Sequence, residues 1–149
     1  KLSAWEETIK TNLTSAFLFT QQVSHFMKLK RYGKIINISS TAGQRGEAHY
    51  SHYAASKGGM ISFTKSLASE LGPFNINVNS VAPGWVLTDM SKSALSNKKS
   101  LDEELKKIPL GRIATADDIA GPVLFLASDL SRHVNGEVLN VNGGSVLVG

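Results

Sequence analysis

Three short β-branched runs, each separated from the next by helical periodicity, constrain this chain more than any other feature. Lys34-Ile35-Ile36-Asn37-Ile38-Ser39 lies between Gly33 and Gly43 and reads as a strand. Asn75-Ile76-Asn77-Val78-Asn79-Ser80-Val81 alternates polar and apolar residues and ends at Pro83-Gly84. Val138-Leu139-Asn140-Val141 is short and closed by Gly143-Gly144. Ahead of the first run, Trp5, Ile9, Leu13, Ala16, Phe17, Val23, Phe26 and Met27 recur near helical spacing. They predict one helix from about Ala4 to Lys30, opened by a Ser3–Glu6 capping box and capped at its end by Gly33. Thr41 to Glu47 reads as a loop. Tyr53 to Leu71 is helical through Met60, Phe63 and Leu67, and Gly72-Pro73 stops it. Thr115-Ala116-Asp117-Asp118 opens another helix to about Ser128, with Pro122 near its first turn. Strands separated by helices do not pair as hairpins. They need crossovers, which predicts an α/β chain with a parallel sheet and helices on both faces.

Composition narrows the chemistry. The 149 residues contain no cysteine, which excludes disulfides, cysteine-ligated zinc and thiol catalysis. No apolar run approaches the roughly 18 residues of a membrane span, and the polar start is not expected to act as a signal peptide. Cytoplasm is the default expectation. The net charge of +4 suits an anionic ligand, but no run of five basic residues occurs, and single cations on solvated faces are the preferred explanation. The basic residues lack interleaved aromatics, so no nucleic-acid role is expected. His49 and His52 are three apart without a carboxylate cluster, and no metal site is expected.

Ligands of parallel sheets sit beyond the carboxyl ends of the strands. Ser39-Ser40 closes the first strand, Pro83-Gly84 the second, and Tyr53 opens the helix that follows the first. Tyr53 and Lys57 are four apart and share a helix face. A tyrosine hydroxyl titrates near pH ~10, so proton exchange with a carbonyl or alcohol near neutrality needs help. A nearby ammonium favours the phenolate. An exposed Tyr–Lys pair is the plainer alternative. For Ser40 the plainer alternative is a strand-end serine that satisfies loop backbone.

Asn37-Ile38-Ser39-Ser40-Thr41-Ala42-Gly43, Tyr53-Ala54-Ala55-Ser56-Lys57, Pro83-Gly84-Trp85-Val86-Leu87-Thr88-Asp89 and Val141-Asn142-Gly143-Gly144 follow one another as do the signatures of short-chain dehydrogenases/reductases. The whole chain resembles the later, catalytic portion of that family. The resemblance implies part of a Rossmann-type doubly wound parallel sheet, three strands with helices on both faces, with residues 1–149 in a single domain. It implies Tyr53 as general acid/base, and Lys57 as the residue that activates it and binds the nicotinamide ribose. It implies Ser40 as the group orienting the substrate carbonyl. Asn12, in Thr11-Asn12-Leu13, matches the fourth catalytic member, at a helix kink. Pro83, Gly84, Val86 and Thr88 match the stretch lining the nicotinamide of NADP or NAD, with Tyr53 and Lys57 also touching the cofactor. The Tyr–Lys spacing differs from that of the family's enoyl-reductase branch. The glycine-rich pyrophosphate turn of the family has no counterpart among the 13 glycines. A preceding cofactor-phosphate-binding segment is therefore expected outside this sequence, and the first strand is expected to present an unpaired apolar edge.

Within the family the chain most resembles 3-oxoacyl-[acyl-carrier-protein] reductases, which implies reduction of a 3-oxoacyl thioester and an acyl carrier protein as partner. Arg31 fits a basic residue near such a carrier, whereas the second expected basic position is Phe74. Residues 88–112 would form a substrate lid, with Met90, Leu95, Leu101 and Leu105 covering an apolar chain. A solvated pair of surface helices is the alternative. The resemblance also implies a homo-oligomer, a dimer or tetramer, with Ala16, Phe17, Phe63 and Leu67 suited to helix-on-helix contact. A sugar or secondary-alcohol dehydrogenase of the same family is an alternative substrate class. A non-catalytic fragment or oligomerisation module unable to bind cofactor is an alternative of another kind.

Overall fold

A computed structural model describes residues 1–147. Strands β1 (Gly33–Ile38), β2 (Ile76–Pro83) and β3 (Val138–Val141) form a parallel sheet in the order β1-β2-β3. The register runs from Gly33 opposite Ile76 to Ile38 opposite Val81, and from Ser80 opposite Val138 to Pro83 opposite Val141. All three strands therefore point their carboxyl ends the same way.

Central strand β2 is buried almost throughout, and Val78, Val81 and Ala82 are fully enclosed. Its alternation suggests one wet face, yet its asparagines are satisfied by protein. Asn79 Nδ2 donates to Val134 O at 2.9 Å, and Asn79 Oδ1 accepts from Glu137 N at 2.9 Å. Asn77 Nδ2 donates to Val134 O at 3.0 Å. In return Asn135 Oδ1 accepts from Val78 N at 2.8 Å and its Nδ2 donates to Ala68 O at 2.9 Å. The polar half of the alternation binds the chain that leads into β3, which removes the cost of burying amides.

Helices α1 (Leu2–Ile9) and α2 (Ser15–Lys30) are joined by a π-helical turn over Lys10–Thr14. The predicted single helix is thus broken where Asn12 sits. The Ser3–Glu6 capping box does not form, because the helix already begins at Leu2 and Ser3 lies inside it. Nor does Gly33 cap α2. Arg31 takes the left-handed position (φ 49°), held by its Nη2 donating to Pro73 O at 2.9 Å and by Asn75 Nδ2 donating to Arg31 O at 3.1 Å. Gly33 starts β1, where a Cβ would collide with the Met27 side chain.

The predicted loop after β1 contains a short helix, α3 (Thr41–Arg45). Helix α4 (Ser51–Leu71) follows, then α5 (Asp89–Leu95), α6 (Lys98–Leu105) and α7 (Ala116–Ala127). Helices α2 and α4 pack on β1 and β2, and α7 packs on all three strands. Ala68 and Leu71 of α4 meet Ile76 and Val78 of β2, with Met27, Ile35, Leu67 and Phe74 around them. Helix α7 carries the expected capping box between Thr115 and Asp118, but Pro122 lies in its middle rather than its first turn. No helix among the described residues is long and apolar enough to cross a membrane.

Candidate active site

The helix order places α3 and the start of α4 at the carboxyl end of β1. Close approach there depends on glycines. A Cβ on Gly43 would lie 2.5 Å from the backbone carbonyl carbon of Lys57, so α3 rests directly on α4. A Cβ on Gly59 would lie 2.7 Å from Leu13 Cδ2, so the π turn also beds onto α4. The Gly58-Gly59 pair after Lys57 lets two neighbouring segments reach the first turns of the helix.

Tyr53 and Lys57 share one face of α4, and Lys57 Nζ lies 5.8 Å from the centroid of the Tyr53 ring. Lys57 Nζ donates to Ile38 O at 2.8 Å, which fixes the ammonium to the last residue of β1. Burial pushes its pKa down from the ordinary lysine value. An ammonium has three N–H donors. Among the described residues Lys57 makes no other hydrogen bond, so two of its donors remain.

Ser40, two residues beyond Ile38, caps α3. Its Oγ accepts from Ala42 N at 3.1 Å. That bond uses a lone pair and leaves the hydroxyl proton to donate. The plain reading of Ser40 and the chemical one are therefore compatible: the cap orients the hydroxyl.

Asn12 reaches α4 from the π turn. Its Nδ2 donates to Ser56 Oγ at 3.0 Å, and Ser56 Oγ donates to Tyr53 O at 2.7 Å. Ser56 is fully buried. Asn12, Ser56 and the Tyr53 backbone thus form one hydrogen-bonded chain. Ser56 went unsingled by sequence reasoning, and its only signal there is an i, i+3 place between Tyr53 and Lys57. π turns are frequent at functional sites, and here the turn aims Asn12 at α4.

Pro83 ends β2, and Gly84 follows it against Asn142. Val86 pairs with Ala114 in a parallel bridge, with Leu87 N donating to Ala114 O at 2.8 Å and Ala114 N to Trp85 O at 3.2 Å. Thr88 precedes α5, and its N–H donates to Ser91 Oγ at 3.0 Å. Ser91 Oγ also donates to Val86 O at 2.6 Å. The segment from Gly84 to Thr88 is thus pinned from both sides at the carboxyl edge of β2. Within residues 88–112, Met90 is exposed, whereas Leu95, Leu101 and Leu105 are half-buried.

A nicotinamide ribose needs hydroxyl partners and an apolar wall. The two remaining N–H groups of Lys57 and the half-buried Gly84–Val86 segment fit that end of such a cofactor. For its phosphates, the sequence has no glycine-rich turn opening a helix.

A family model described as Enoyl-(Acyl carrier protein) reductase matches residues 1–146. The 3-oxoacyl-[acyl-carrier-protein] reductase of Aquifex aeolicus is 46% identical over 140 residues, 94% of this chain and 56% of the relative. The chain therefore spans a little over half the length of that relative. A putative gluconate dehydrogenase from Agrobacterium tumefaciens superposes with a TM-score of 0.97 at 32% identity, covering 100% of this chain and 59% of that one. A gluconate 5-dehydrogenase from Burkholderia cenocepacia, crystallised with NADP and tartrate, superposes with a TM-score of 0.95 at 32% identity, covering 97% of this chain and 57% of that one.

Proposed function

The chain belongs to the short-chain dehydrogenase/reductase family, and from that premise we propose that it is the catalytic portion of an NAD(P)(H)-dependent oxidoreductase that reduces a ketone to an alcohol. The observation that carries the reading is the convergence of Tyr53, Lys57, Ser40 and Asn12 at the end of β1. Three different elements supply them; Asn12, Ser40 and Lys57 are each held by a side-chain hydrogen bond, and the turn that bears Tyr53 is held through its backbone carbonyl. The preferred substrate class is a 3-oxoacyl thioester, supported by the identity to the Aquifex reductase. A sugar acid or other secondary alcohol is the second reading, supported by the superposition on gluconate dehydrogenases.

Lys57, Pro83, Gly84, Val86 and Thr88 would hold the nicotinamide end of a bound NAD(P)H, Lys57 through the N–H groups not bonded to Ile38 O, and the cofactor would supply the hydride. Ser40, its lone pair committed to Ala42 N, donates its proton to the substrate carbonyl oxygen and orients it. The Tyr53 hydroxyl donates a proton to the same oxygen as negative charge develops there. The Lys57 ammonium stabilises the charge then left on the Tyr53 oxygen. Asn12, by way of Ser56, holds the turn of α4 that carries Tyr53. Residues 88–112 act as the lid that excludes water.

The intact protein works in the cytoplasm as a homo-oligomer, with a carrier-bound acyl chain as its substrate and an acyl carrier protein as its partner. The test is NADPH- and NADH-dependent reduction of an acetoacetyl thioester beside oxidation of gluconate. Turnover of the thioester alone supports the preferred substrate, and turnover of gluconate alone supports the second. Turnover of neither favours a non-catalytic module.

A further inference from the structure

Trp85 stands between Gly84 and Val86, in the segment assigned to the nicotinamide end. Its indole Nε1–H donates to Glu104 Oε2 at 2.9 Å. Glu104 lies on α6, the second helix of the 88–112 segment, and its Oε1 accepts from Lys107 Nζ at 2.8 Å. Arg45, on α3 just beyond Ser40, adds a favourable charge from a third element. Arg45 itself pairs with Glu47 at 2.9 Å. Burial alone would push the Glu104 carboxyl up. The bonds from Lys107 and Trp85, with the charges of Lys107 and Arg45, outweigh it and lower the carboxyl from its ordinary value.

The surroundings make this contact more than a surface pair. The side chain of Glu104 is 22% exposed. Ser91 of α5 ties the same segment through Val86 O. The indole also lines an open cavity of about 810 Å³ with Ile108, Leu110, Val141 and Val146. Without an acceptor at Glu104, the indole N–H loses its partner and the ring gains freedom to swing toward that space. A hydrogen bond to a charged acceptor is stronger than a neutral one, so α6 and the turn after β2 are joined at one side-chain contact.

We propose that Glu104 is a positioning residue: by holding the Trp85 indole from α6, its carboxylate latches the 88–112 segment onto the Gly84–Val86 turn and sets how tightly the site closes over substrate. The closure over substrate rests on the oxidoreductase reading, whereas the latch itself does not.

The experiment reads the two separately. In a Trp5→Phe background Trp85 is the one tryptophan of the chain, and solvent exchange of its indole proton is followed by NMR. Glu104→Leu is expected to speed that exchange about 10-fold, and Glu104→Gln, which keeps an acceptor oxygen, to leave it within about 3-fold of the parent. Unchanged exchange in Glu104→Leu overturns the latch. Steady-state kinetics then test its effect. KM for a 3-oxoacyl thioester is expected to rise about 10-fold in Glu104→Leu, with kcat changed by less than about 3-fold and recovery in Glu104→Gln. Trp85→Phe removes the donor and gives the same rise, and the double variant adds nothing to it. Trp85→Phe also serves if Glu104→Leu fails to fold. Faster exchange with an unchanged KM overturns the positioning role. If the parent reduces no carbonyl, the oxidoreductase reading fails while the exchange measurement still decides the latch.

Discussion

At the scale of single residues, the candidate site depends on side chains whose place in the chain hides their work. Ser56 accepts from Asn12 and donates to the Tyr53 carbonyl, so its hydroxyl joins the π turn to the first turn of α4. Ser56→Ala leaves the Asn12 amide without its acceptor. We expect a loss of about 1–3 kcal/mol of stability in denaturant unfolding, with kcat falling more than KM changes. Lys57 gives a pH prediction. Its pKa is lowered by burial, so its charge is lost as pH rises earlier than for an exposed lysine. Turnover should fall on the alkaline side at a pH below about 10.4, the ordinary lysine value, and a pH–rate profile measures it. A profile flat to that pH would remove Lys57 from the mechanism. Tyr53 and Lys57 were legible because four-residue spacing puts them on one helix face. Asn12 was legible only through the family resemblance. No local residue type marks a π turn, and a polar residue in mid-helix is otherwise unremarkable. Ser56 was not legible, because its burial comes from the approach of α1 and the π turn, which are distant in sequence.

At the scale of elements, glycine contacts set the spacing that brings these residues together. Gly43→Ala puts a methyl within 2.5 Å of the α4 backbone, where no flexible side chain yields. Helix α3 must lift, and Ser40 moves with it. The expected cost is about 1–3 kcal/mol, seen as a lower Tm together with a fall in kcat. A neutral Gly43→Ala would mean that Ser40 is not held by this packing. Thr115→Ala removes the N-cap of α7, whose hydroxyl receives Asp118 N–H, and should cost about 1 kcal/mol in thermal unfolding. The three strands were readable because β-branched runs between turn residues have few other uses. Their faces were less readable. Alternation in β2 suggests a wet side, but Asn77 and Asn79 spend their amides on residues 132–137, a tertiary contact that outranks local pattern. Helix ends shifted for a similar reason. Arg31 accepts a left-handed backbone because Pro73 and Asn75 hold it there, so Gly33 is free to begin β1.

At the scale of the molecule, both sheet edges and one helix face lack a partner strand or helix among the described residues. In the order β1-β2-β3, neither β1 nor β3 has a strand on its outer side, and Ile38 of β1 is exposed. Helix α2 turns Phe19, Phe26 and Leu29 to solvent, Phe19 at 75% exposure and Leu29 at 72%. An apolar surface of this extent favours association. Sedimentation should therefore report a particle larger than the 16.0 kDa chain, and Phe26→Asp should shift it toward the monomer. A monomer before the substitution would contradict the oligomer. Sequence pattern shows which positions are apolar, but not which of them are left for another surface, since both kinds follow the same helical spacing. The central claim is that Tyr53 is the proton donor of a carbonyl reduction. Its most direct test is the steady-state rate of NADPH consumption with an acetoacetyl thioester, for the parent and for Tyr53→Phe. The account predicts that the substitution lowers kcat by about 10²- to 10⁴-fold while Tm stays close to that of the parent. A Tyr53→Phe protein that turns over near the parent rate would contradict it.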